Sequence, residues 1–167
     1  MSRIAIIDFE ASCLPDDGMS YPIEVALAEV DGPSRVWLIR PASRWRYWDW
    51  SEDAEQLHGL SLETIERDGL DVGTVAAELA EAARGLTVYA DSELDAYWNE
   101  TLAEAAGTKA FPILDIGAVF VSLGVSRGQV DAAEAQARAL LPRQHQADFD
   151  ARRWAETIRL LRAREAA

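Results

Sequence analysis

Ile4-Ala5-Ile6-Ile7-Asp8-Phe9-Glu10-Ala11-Ser12 is a short apolar run, rich in branched side chains, that carries two acids near its end. Turn-forming residues, Pro15, Asp16, Asp17 and Gly18, follow it. A short branched run bounded by turn residues predicts a buried central strand. Strand periodicity is two, so Asp8 and Glu10 point to one face. A buried carboxylate without a partner costs several kcal/mol. Two such anions side by side repel unless a cation lies between them, and an all-oxygen pair suits a hard divalent ion. On this stretch alone the alternative stays open: the strand ends at Asp8 and both acids are solvated.

A chain of 167 residues suits one domain, taken here as 1–167, with a sizeable core. Hydrophobic residues make up 49% and charged residues 27%, which places it among ordinary soluble globular chains. No apolar run approaches the roughly 18 residues of a membrane span, and the start carries no signal-peptide pattern. No membrane association is expected. The single cysteine, Cys13, excludes an intrachain disulfide and points to a reducing, cytoplasmic setting. The net charge of −13 argues against long-duplex binding, because phosphates prefer a basic surface. The bases are unevenly spread, however. Arg35, Arg40, Arg44 and Arg46 form one cluster, and Arg138, Arg143, Arg152, Arg153, Arg159, Arg162 and Arg164 form another. An acidic metal site with local basic patches fits a small or single-stranded anionic substrate.

After the strand at 3–10, residues 22–30 and 35–39 read as further strands, joined by the turn Asp31-Gly32-Pro33. Short connections predict an antiparallel meander. From Ser51 the period changes. Helices are expected from Ser51 to Gly59, from Ser61 to Gly69 and over 72–83, with Ser51 and Ser61 as N-caps. Another buried strand, 86–90, precedes helices over 93–106, 113–123, 127–141 and 148–164, and a short strand at the start of 113–123 stays open. Strands followed by alternating strands and helices indicate a mixed α/β sheet with helices on both faces.

Two further constellations stand at strand or helix ends. Tyr89-Ala90-Asp91-Ser92-Glu93-Leu94-Asp95 lies where a strand gives way to a helix, a place where α/β sheets form sites. Plain N-capping by either acid is the alternative. His145-Gln146-Ala147-Asp148-Phe149-Asp150-Ala151 opens the last helix. A histidine can take up and release a proton near neutral pH, so His145 there is a candidate for proton transfer; a solvated His145 and a capping Asp148 are the alternative. Arg44-Trp45-Arg46-Tyr47-Trp48-Asp49-Trp50 interleaves bases with aromatics. It either stacks on unpaired bases or packs inward, and aromatics of a small domain usually go inside.

With these residues in order, the chain resembles the DEDDh (DnaQ-like) 3′–5′ exonucleases of the RNase H-like fold. The first motif looks like Asp8-Phe9-Glu10-Ala11-Ser12, and the second like Val88 to Asp95 with its essential acid at Asp95. The third, His-x-x-x-x-Asp-Ala, matches His145, Asp150 and Ala151. The segment His58-Gly59-Leu60 resembles the family's His-Gly-Ile segment beside the substrate's terminal nucleotide. Asp91 stands where the family often has Asn, and Leu94 where Phe is common. The resemblance implies an RNase H-like mixed sheet of about five strands, the first three antiparallel. It implies hydrolysis of short or single-stranded DNA or RNA to nucleoside 5′-monophosphates with two Mg²⁺ or Mn²⁺ ions. Asp8, Glu10 and Asp150 would hold one ion; Asp8 and, through water, Asp95 would hold the second. His145 would act as base, and Ala11, Ser12, His58, Leu60 and Asp91 would border the substrate. Two other readings remain: a phosphodiesterase for very short oligonucleotides or nucleotide conjugates, and a catalytically weak nucleic-acid-binding scaffold. A homodimer is compatible with the sequence, which does not display exposure.

Overall fold

The computed structural model describes residues 3–143 and 145–165; the remaining ends of the domain expected over 1–167 lie outside the described residues. Strands β1 (Arg3–Ala11), β2 (Pro22–Glu29) and β3 (Ser34–Leu38) form the expected antiparallel meander. Strand β4 (Leu86–Ala90) joins β1 in parallel, and the two-residue β5 (Leu114–Asp115) joins β4 in parallel. The sheet order is β3-β2-β1-β4-β5, so the run that opens the sequence is the central strand.

The helices are α1 (Glu52–His58), α2 (Leu62–Asp68), α3 (Val72–Ala82), α4 (Leu94–Ala105), α5 (Gly117–Ser122), α6 (Arg127–Leu140) and α7 (Ala147–Glu165). Ser51 and Ser61 cap α1 and α2 by accepting from the amides of Ala54 and Thr64, as their positions predict. The segment 113–123 contains a strand before its helix, which shortens the helix to six residues.

Helices cover both faces because β1 is apolar on both. Ala5, Ile7, Phe9 and Ala11 pack with Ile65, Val75, Leu79, Trp98 and Leu102 of α2, α3 and α4. Ile6 packs on the opposite face, with Ala26 and Ala28 of β2 and with α5 and α7. Ala147, Ala151 and Ala155 recur every four residues on α7 and meet those two alanines. Methyl against methyl lets the helix lie close to the sheet. A side chain as short as aspartate on α7 can therefore reach groups on β1.

The aromatic stretch goes inward. Trp45 is fully buried and stacks on Tyr21, with ring centroids 5.4 Å apart. Trp48 and Trp50 pack against the same core, and Trp50 Nε1 donates to Glu55 at 2.8 Å. Arg44 pairs with Glu104 at 2.8 Å, and of the aromatics in the stretch Tyr47, 87% exposed, is the one that stands out from the surface. The Trp48→Ala variant should lower the melting temperature and leave oligonucleotide affinity unchanged. Removing a half-buried indole costs about 2 kcal/mol, or about 4–8 °C at this size. Thermal melts with fluorescence-anisotropy binding check this: weaker binding at an unchanged melting temperature would restore base stacking.

Candidate active site

The site forms because β1 outruns β4. Their pairing covers only Arg3 to Ile6 of β1, whereas β1 continues to Ala11 beside β2. Past Ile6 the β4 side of β1 lacks a strand partner, and a crevice opens at the carboxyl end of the central strand. The Phe9 amide in this gap donates to Asp95 Oδ1 at 2.9 Å. Asp95 sits in the first turn of α4, 2% exposed, and closes the crevice from the other face.

Asp8 and Glu10 continue the Ile6 face of β1, toward α7. Asp150, one turn into α7, completes the group: one carboxylate oxygen from each of Asp8, Glu10 and Asp150 lies within 4.8 Å of the others. Asp8 and Glu10 keep part of their surface open to the crevice. Burial holds the Asp8 carboxyl well above the usual range; the negative charges of Asp95, Glu10, Asp150 and Asp91 push the same way. Glu10 is pushed up to about 8, by burial first and then by Asp150, Glu24 and Asp95. Asp95 is raised mainly by burial, while the bond from Phe9 works against that rise. Three convergent carboxylates, with Asp8 and Glu10 largely withdrawn from water, form a fitting donor set for a hard divalent cation. Softer nitrogen or sulfur donors are absent from that trio.

The remaining expected residues are placed as follows. His145 is exposed on the loop before α7, with φ 55°, a left-handed conformation that histidine adopts more readily than most residues. His58 ends α1 and is 4% exposed. Its Nδ1 accepts from the Leu60 amide at 3.0 Å, which leaves the proton on Nε2, and Nε2 is buried without a hydrogen-bond partner among the described residues. Burial lowers the His58 pKa, so the ring is neutral near pH 7. It stabilises the turn and also lines a cavity of about 390 Å³ with Phe9, Glu10, Ala11, Leu57 and Trp98. Leu60 lines a neighbouring cavity with His58, Glu24 and Phe149. Ser12 is fully buried, and its hydroxyl accepts from the Tyr21 amide at 3.1 Å, so its side chain is engaged internally. Asp91 does not cap α4; its Oδ2 accepts from Trp154 Nε1 of α7 at 2.6 Å.

Sequence reading missed Glu24, Trp154 and Arg153. Glu24 lies opposite Glu10 across β1 and β2, and its Oε2 accepts from the Ala147 amide at 3.1 Å, which tethers the start of α7 to the sheet. The meander register, had it been known, would have found it. Nothing local marks Trp154, whereas Arg153 stands three residues after Asp150 on one helix, a spacing that could have signalled the pair. The basic cluster near the C-terminus is largely consumed by ion pairs. Arg138, Arg152, Arg159 and Arg162 engage Glu134, Asp148, Glu156 and Asp31. Arg143 lies over the ring of Phe149.

Neither the protein-family models nor the curated protein sequences match this chain. Solved structures do. E. coli exonuclease I bound to a dA16 oligonucleotide superposes with a TM-score of 0.76 at 12% identity, covering 99% of this chain and 42% of that one. A 3′-exonuclease that recognises the 3′ end of a histone mRNA stem-loop superposes at 0.70 with 16% identity, over 97% of this chain and 64% of that one. Exonuclease I from Methylocaldum szegediense gives 0.67 at 16% identity, over 99% and 41%. The chain spans less than two thirds of each of these proteins. Its mixed five-stranded sheet, with β1 at the centre and helices on both faces, is the RNase H-like fold shared by these 3′-exonucleases.

Proposed function

We propose that this chain is a metal-dependent 3′–5′ exonuclease that hydrolyses phosphodiester bonds of short or single-stranded DNA or RNA and releases nucleoside 5′-monophosphates. The observation that carries this reading is the carboxylate trio Asp8, Glu10 and Asp150 at the end of the central strand of an exonuclease fold. In this reading the trio holds one Mg²⁺ or Mn²⁺, and Asp8 with Asp95 holds a second. When bound, two such ions neutralise a phosphodiester, acidify a water molecule and stabilise the leaving oxygen.

The chain's own groups divide the remaining work. His145, unbonded to the carboxylates and open to solvent, takes the proton of the attacking water. The cavity beside Glu10 receives the terminal nucleoside. Its walls are mainly apolar, and acids Asp17 and Asp53 on its rim repel a further phosphate, which favours a free 3′ end. The orphaned Nε2–H of His58 offers that nucleoside a hydrogen-bond donor. A second reading, a phosphodiesterase for very short oligonucleotides or nucleotide conjugates, is favoured by the ion-pairing of the C-terminal arginines, which leaves little free positive surface for a long strand.

One assay tests both. Labelled single-stranded DNA and RNA of two to twenty nucleotides (an order-of-magnitude range, about one to several binding sites) are digested with Mg²⁺, Mn²⁺ or EDTA. Metal-dependent release of mononucleotides from the 3′ end is expected, and rates highest on dimers would select the second reading. No cleavage by folded protein with any metal would overturn both. In the same assay His145→Ala should slow hydrolysis about a hundredfold and remove the acid limb of the pH–rate profile. An unchanged profile would remove His145 from the base role.

A further inference from the structure

Arg153 lies one turn beyond Asp150 on α7 and is only 8% exposed. Its Nη1 is bonded to Asp150 Oδ1. The other oxygen, Oδ2, accepts from the Gln146 amide at 3.3 Å. Both oxygens of a carboxylate in the trio are thus already engaged by this chain's own donors. The guanidinium is not itself satisfied: its Nε is buried without a hydrogen bond among the described residues. That Nε lies 3.3 Å from Glu134 Oε1 on α6, an ion pair only half made. The same Glu134 Oε1 also accepts from Arg138 Nε at 3.1 Å, which holds the Glu134 side chain in place. Arg153 therefore stands between two carboxylates, bonded fully to one and poised toward the other.

We propose that Arg153 is a positioning residue: it is the resident counter-cation of Asp150 in the metal-free protein, and it is handed to Glu134 when a divalent cation enters. This rests on the reading of Asp8, Glu10 and Asp150 as a metal site. Without metal, Arg153 neutralises Asp150 and so holds its carboxylate beside Asp8 and Glu10, within 4.8 Å. A metal ion needs an oxygen of Asp150, and Arg153 competes for the same lone pairs. Removing the bond to Asp150 would strand a buried cation, which is costly unless another anion takes it. Glu134 is that anion, and turning toward it also satisfies Nε. Metal affinity is then set by how evenly Arg153 is shared between Asp150 and Glu134, and α6 acquires a say in metal binding although it contributes no ligand.

The test is Mn²⁺ binding to the full chain, measured by titration calorimetry and by the paramagnetic resonance signal of free Mn²⁺, with no substrate present. Arg153→Met removes the competitor, so Mn²⁺ should bind about tenfold more tightly; Glu134→Gln removes the receiving anion, so Mn²⁺ should bind about tenfold more weakly. A merely structural role would weaken binding in both. Tighter binding by Arg153→Met together with weaker binding by Glu134→Gln supports the proposal, and any other pair of signs overturns it. If Arg153→Met does not fold, Glu134→Gln decides alone: unchanged or tighter binding overturns the handover. A wild-type chain that binds no Mn²⁺ overturns the metal-site reading itself, whereas wild-type binding with unshifted variants overturns only the role of Arg153.

Discussion

Asp8→Ala should lose at least about a thousandfold in metal-dependent hydrolysis while keeping its fold. Asp8 is the carboxylate on which the charges of Asp95, Glu10, Asp150 and Asp91 all bear, so it stands where both proposed metal positions meet. A metal ion supplies several kcal/mol of transition-state stabilisation, and each 1.36 kcal/mol is tenfold in rate. The fold should survive because the site opposes stability instead of supporting it. Burial first and then the neighbouring acids disfavour the Asp8 carboxylate, and removing it relieves that cost. In EDTA the melting temperature of Asp8→Ala should equal or exceed that of the wild type. Steady-state hydrolysis and scanning calorimetry check the two halves. Normal Mg²⁺-dependent turnover by this variant would falsify the active-site assignment.

Raising the pH from 5 to 8 in EDTA should lower the melting temperature of the wild-type chain by about 5–10 °C. The sign follows from the direction of the shifts. Asp8, Glu10 and Asp95 all have carboxyls raised above their unfolded values, Glu10 to about 8. Between the unfolded value near 4 and the folded value, the native state binds more protons than the unfolded chain. Stability from these groups is complete below the unfolded pKa and is lost as pH rises through the folded one. Each proton lost in that window changes stability by up to about 1.4 kcal/mol per pH unit, and 1 kcal/mol moves the melting temperature by about 2–4 °C at this size. Millimolar Mg²⁺ or Mn²⁺ should flatten the slope, because a cation replaces the protons. Asp8→Ala should flatten it without metal. A melting temperature that climbs from pH 5 to 8 in EDTA would show that the acids are not buried against one another.

These results would bear on residues of two kinds. The paired acids Asp8 and Glu10 were legible because strand geometry is local: a period of two sends positions 8 and 10 to one face whatever surrounds them. The same locality made Ser51 and Ser61 readable as caps, and the meander readable from its short turns. Helix-local ion pairs such as Arg152–Asp148 and Arg159–Glu156 follow three- and four-residue spacing, so the loss of free basic charge on α7 was also open to local reading.

What the tertiary structure alone decided involves partners far apart in the chain. Asp91 and Asp95 share the same helix start, yet one is drawn to Trp154 and the other to the Phe9 amide, because β1 outruns β4 and exposes that amide. Trp45 could have served a substrate, but Tyr21 and the core below α2 offered it more contact than solvent would. Asp150 meets Asp8 and Glu10 because alanines on α7 and β2 allow a close approach, and Arg153 meets Glu134 because α6 packs on α7. By itself the sequence determined the central strand, its two acids on one face and the order of elements, since backbone periodicity and capping act within a few residues. The tertiary structure decided which acids converge and where each aromatic lies, since burial and the pairing of distant groups depend on distances that only the packed chain sets.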